Sequence, residues 1–153
     1  MNLPRFSEPR DAERGWMELQ LKLARAFAST YSPDDAWDAI RLEALDRAFG
    51  KWLETQSNDM RDVNNAINAV GIAFGSILVE KLGFSWTIAA DEHGTELAVR
   101  ALPNEGDVLL YPANFVSKRW ERKERDFLVD AFEKTSRYVE KLRGDWEEHR
   151  KQQ

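Results

Sequence analysis

A helix-rich α+β protein is expected from three features of the sequence: one stretch apolar on both sides at helical spacing, amphipathic segments before and after it, and short runs that alternate in steps of two. The first is NNAINAVGIAFGSILVEKLG, residues 64–83. Val63, Ile67, Val70, Phe74, Ile77 and Leu78 make one side, and the smaller set Ala66, Ala69, Ile72, Ala73 and Val79 fills the other. A helix hydrophobic all round has to lie between two layers. Gly71 and Gly75 each cost about 1 kcal/mol relative to alanine in a helix interior. Close approach of another backbone, supplied by the following sheet, is the expected compensation.

The elements around this helix are read in order. Residues 1–9 form an irregular lead-in. A helix starts near Pro9, with Asp11 and Glu13 favourable at its positive end, and runs to Ser29–Tyr31. Trp16, Leu19, Leu23 and Phe27 define its core face. Ser32-Pro33-Asp34-Asp35 carries the cap, proline and acid of a second helix start. Trp37, Ile40, Ala44, Leu45, Ala48, Phe49 and Trp52 trace its buried stripe as far as Gln56. Ser57 or Asn58 caps the central helix and Gly83 stops it.

After Gly83 the period changes. Phe84, Trp86 and Ile88 point one way and Ser85, Thr87 and Ala89 the other; Asp91-Glu92-His93-Gly94 is a turn, and Thr95–Ala101 alternates again with Leu97 and Val99 inward. Pro103–Asp107 is a second turn and Val108–Tyr111 a third strand. Tight connections predict a three-stranded antiparallel meander with one buried face. Pro112 ends it. Residues 113–125 form either a short helix or the opening turns of the next one, which carries Leu128, Ala131, Phe132, Thr135, Tyr138, Val139, Leu142 and Trp146 on its stripe toward Arg150.

Composition sets the bounds. The 153 residues are 42% hydrophobic and 11% aromatic, with six tryptophans, enough for one domain spanning 1–153 with a sizeable core. No cysteine is present, so disulfides, thiolate metal sites and a cysteine nucleophile are excluded. The first residues lack the apolar core of a signal peptide, and a cytoplasmic location is expected. Net charge is −5, which argues against general nucleic-acid binding. The polar residues Asn64, Asn65, Asn68, Glu80 and Lys81 also keep the glycine-bearing helix from reading as a membrane dimer motif.

Few groups suggest chemistry. His93 lies among Asp91, Glu92 and Glu96, but with no second histidine nearby and no calcium-loop spacing a solvated turn is the better reading. No metal or cofactor is expected. The cations Lys118, Arg119, Arg122, Lys123 and Arg125 surround Trp120, yet Glu121, Glu124 and Asp126 offset them at helical spacing. There is no glycine-rich phosphate loop after a strand and no GxSxG, so a non-enzymatic protein is expected. Acid is concentrated in two places: the second helix, and the sheet turns, where Asp91, Glu92, Glu96, Glu105 and Asp107 face one cation, Arg100. Such patches select partners of opposite sign.

Gly71-x-x-x-Gly75, then Trp86 with Asp91 and Gly94 on a hairpin, then Pro112 followed by Lys118-Arg119, resembles an uncharacterised family of small bacterial domains of unknown function, over residues 64–119. The resemblance implies a helix packed on an antiparallel sheet in a bacterial protein. It implies no activity, and it keeps Lys118 and Arg119 among the contact candidates. Two functions are expected. The first is a protein-binding module, an immunity-type antidote against a basic toxin such as a nuclease, using Asp91, Glu92, Glu96, Glu105, Asp107, Lys118 and Arg119. The second is a small-ligand or regulatory domain with a pocket near Trp86, Tyr111 and Arg119.

Overall fold

A computed structural model describes residues 4–35, 39–103 and 106–152. The order is β1 (Arg5–Ser7), α1 (Asp11–Tyr31), a 3-10 turn (Pro33–Asp35), α2 (Leu42–Leu53), α3 (Met60–Leu82), β2 (Ser85–Asp91), β3 (Gly94–Ala101), β4 (Val108–Leu110), α4 (Pro112–Glu121) and α5 (Leu128–Lys151). The α+β expectation holds, with residues 113–121 belonging to a separate short helix. Trp37 and Glu105, named above, lie outside the described residues.

α3 is the buried centre. Val63, Ile67, Val70, Phe74 and Leu78 on one side and Ala66, Ala69, Ile72 and Ala73 on the other are all buried. It is long and apolar enough to cross a bilayer, but most of that apolar stretch is covered by the fold. Asp59, rather than Ser57 or Asn58, caps it by accepting the Arg61 N–H at 2.9 Å. Gly83 closes it at φ 74°, the left-handed geometry a helix stop requires.

The close approach at the glycines comes mainly from α4, not from the sheet. A Cβ on Gly71 would lie 2.7 Å from the Ala113 Cα and 3.0 Å from its N. At Gly75 it would meet the Trp86 ring and Pro112 Cγ. The sheet therefore contributes one side chain, while the proline-led first turn of α4 contributes backbone.

The sheet has four antiparallel strands in the order β1-β2-β3-β4, one more than expected. The extra strand is Arg5–Ser7 of the lead-in, with Phe6 opposite Ala89; three residues are too few to show a period. It explains a second departure. Thr87, Ala89 and Ala98 are buried although they point away from α3. Thr87 Oγ1 donates to the Ser7 carbonyl at 3.0 Å, and on the same face the Arg100 guanidinium lies 4.1 Å from the centre of the Phe6 ring.

Two helices differ from expectation. Residues 33–35 form only a 3-10 turn, and α2 begins at Leu42, so the Ser32 signal starts a short turn. α1 is rotated by one residue: Met17, Gln20 and Ala24 are buried, while Trp16, Leu19 and Leu23 are 37%, 50% and 40% exposed. The apolar arc of α1 is wider than one core stripe. Small Ala24 and Ala28 let it approach the alanine side of α3, and the larger residues are left outside. Trp16 is thus a surface residue, and Tyr138 on α5 is exposed as well.

Candidate functional site

The acidic end of the sheet is built by a two-residue turn. Asp91 pairs with Gly94 across it, and Gly94 adopts φ 128°, which a glycine accepts without strain. The Asp91 carboxylate accepts the His93 N–H at 2.8 Å. His93 Nε2 lies 3.5 Å from Glu92. Side-chain parity puts Asp91 and Glu96 on the face turned away from α3. Desolvation first, and the Asp91 charge second, push the Glu96 carboxyl above its ordinary range. The Tyr111 phenol is pushed up by burial, then by Glu96 and Asp91. Asp91 and Glu96 thus form one negative neighbourhood beside the Tyr111 phenol.

Asp107 does not add to it. The Arg100 Nε and Nη2 donate to its two carboxylate oxygens at 2.7 and 3.2 Å, so its charge is compensated. Glu105 lies outside the described residues. Of the acidic candidates, the structure brings Asp91 and Glu96 together, with Glu92 on the turn beside His93.

Lys118 and Arg119 have different surroundings. Lys118 is exposed. Arg119 Nε lies 3.2 Å from Glu124, and its guanidinium is 4.3 Å from the Phe115 ring centre. That stacking and pairing hold the turn after α4. Lys123 sits 3.9 Å over Trp120, and Arg125 pairs with Glu54 at 3.3 Å. Trp86 is committed to Gly75. None of the four cavities found among the described residues is lined by Trp86, Tyr111 or Arg119.

The largest described cavity, about 700 Å³, opens instead between α1, the start of α2, α3 and α5. Leu21, Ile40, Ala73, Ile77 and Phe132 give it apolar walls, and both cations (Arg25, Arg41, Lys81) and acids (Glu43, Glu80, Glu133) line it. The sequence hides it because its residues come from four segments and each looks like ordinary core or surface.

Asp46 is a second residue missed. It is 5% exposed on α2 and accepts the N–H groups of Leu128 at 2.8 Å and Val129 at 3.0 Å. α5 has no side-chain cap of its own, so Asp46 supplies one from another helix. Burial pushes its carboxyl up, against the pull of those backbone groups, and Asp126 adds to the rise. The available signal was an acid between Leu42, Leu45 and Phe49 on an otherwise apolar stripe. Among the described residues no three carboxylates, histidines or cysteines gather as a metal site would need.

No curated protein and no solved structure matches the chain. Residues 50–132, from the last turn of α2 through the hairpin and α4 into the start of α5, match the model of a family described as a domain of unknown function (DUF3806). With more than half its length in that match, the chain belongs to this family.

Proposed function

We propose that this domain is a non-enzymatic protein-binding module of the bacterial cytoplasm, an antidote that blocks a basic toxin such as a nuclease. The carrying observation is the exposed pair Asp91 and Glu96 on one face of the hairpin, with Glu92 on the adjoining turn, where the Asp91 charge already acts on Glu96. A cationic side chain docked there relieves that repulsion, and exposed acids of one sign speed encounter with a basic surface. Asp107 and Arg119 are engaged within the chain and act as supports. Lys118 is free to meet an acid on the partner.

The test is co-purification from native host cells at low salt, with parent, a variant carrying Asp91, Glu92 and Glu96 all changed to Lys, and Asp107→Lys. The expected result is a basic protein retained by the parent and by Asp107→Lys and lost from the triple variant. Its toxicity on co-expression should be relieved by the parent and by Asp107→Lys, and not by the triple variant. Equal retention by the triple variant, unaffected by salt, would sink the reading.

The 700 Å³ cavity favours a second reading, a small-ligand domain. Its apolar walls and interspersed cations suit an amphipathic carboxylate. Thermal shift with medium-chain fatty acids, abolished by Ala73→Trp, would support it; no shift with either protein would not.

A further inference from the structure

The geometry points to a second copy of this chain docked antiparallel along α1. Trp16, Leu19 and Leu23 form a continuous exposed stripe, spaced by three and four residues, on a helix whose other side is core. A groove of about 190 Å³ between α1 and α3, walled by Leu23, Phe27, Trp52 and Ala66, continues it. Exposed apolar surface of this kind marks an interaction face, and tryptophan is enriched at such contacts.

The charges beside the stripe select the occupant. Glu18 and Lys22, both exposed and one turn apart, lie on the same flank. Among the described residues, neither pairs with any group in the chain. In a two-fold antiparallel helix pair each flank faces its own copy. Glu18 then meets Lys22 of the second copy, and Lys22 meets its Glu18. The same axis, passing near Leu19, sets Trp16 against Leu23 of the second copy and Leu19 against itself. One operation satisfies the apolar and the charged pairs together, whereas in a parallel two-fold pair this flank would face the opposite one and Glu18 would not meet Lys22.

Gly15 fits the arrangement. It stands beside the stripe with open space where its Cβ would be, so nothing within the chain compensates a glycine in a helix interior. A second helix approaching that flank would.

Sedimentation of the full chain over a concentration series at low salt tests this. The parent mass should rise from one copy toward two, and Leu19→Asp should stay at one. Glu18→Lys and Lys22→Glu alone should each need at least about tenfold higher concentration to associate. Mixed one to one, these two variants should recover the parental behaviour, because each then meets its opposite. All three positions are exposed, and circular dichroism confirms the fold of each variant. A parent of single mass up to roughly 200 µM, a dimer indifferent to Leu19→Asp, or a mixture no better than its components would overturn the assignment. None of these readouts involves the acidic hairpin, so the partner proposal stands or falls separately.

Discussion

α3 is approached closely from two directions, and the two contacts are made differently. Toward α4, glycines at 71 and 75 remove the side chain altogether, and the backbone at Ala113 comes within Cβ distance. Toward α1, alanines on both helices shorten the gap without removing the Cβ, and Ala24, Ala66 and Ala69 are all buried. At Gly71 the contact is with backbone and leaves no room for an added atom. The alanine contact fixes which way α1 faces and thereby places Trp16, Leu19 and Leu23 in water. One seam sets a distance; the other sets a rotation.

Substitutions can break this distinction. The largest loss is expected for Gly71→Leu, at least about 3 kcal/mol, because the obstructing atoms are backbone and cannot turn aside. Gly75→Ala meets side-chain atoms that can partly yield and should cost less. If calorimetry ranked them the other way, the distance argument would fail. Next comes Ala24→Leu, at about 1–3 kcal/mol from overpacking, while Leu23→Ala, one residue away, should stay within about 0.5 kcal/mol. Equal losses at positions 23 and 24 would mean that α1 is not rotated as described.

Asp46 sharpens the comparison from outside both seams. Asp46→Ala should lose about 1–2 kcal/mol by stripping α5 of its cap. Asp46→Asn, which keeps one acceptor, should lose less. Its carboxyl is raised above the ordinary 3.8, so the folded protein holds this proton more tightly than the unfolded chain. The stabilising contribution is therefore full below that value and is lost as pH rises through the folded pKa. Thermal denaturation from about pH 3.5 upward should show a flatter pH dependence in Asp46→Asn than in the parent. The smallest effect is expected for Asp107→Ala, about 0.5–1 kcal/mol for one partly exposed, forked ion pair.

The same distinction explains what could be read from the sequence. Glycines inside an apolar helix are costly, so Gly71 and Gly75 announced a close contact, although its source proved to be α4. Alanines carry no such cost. The arc on α1 held two overlapping stripes, and side-chain size suggested the larger one, Trp16-Leu19-Leu23-Phe27, which the alanine contact overruled. The hairpin was legible because its turn chemistry and alternation are local. β1 was not, since its pairing with β2 joins segments about eighty residues apart. The acidic turn residues were visible as charges, but the neutralisation of Asp107 by Arg100 depends on strand register. The Asp46 cap needed α2 to be packed on α5 first, and the large cavity needed four segments.

The short strand at the start of the chain has a further consequence. β2 and β3 are seven and eight residues long, and a hairpin of that length alone offers an open row of backbone donors and acceptors on each margin. Three-residue partners cover part of each: β1 along Ile88–Ala90 and β4 along Val99–Ala101. Strand margins left bare are templates for other chains. If Pro4–Ser7 peeled away on heating, Ile88–Ala90 would be offered to the next molecule while α3 and its seams were still folded. Resistance to aggregation would then be governed by four residues that contribute little to the core.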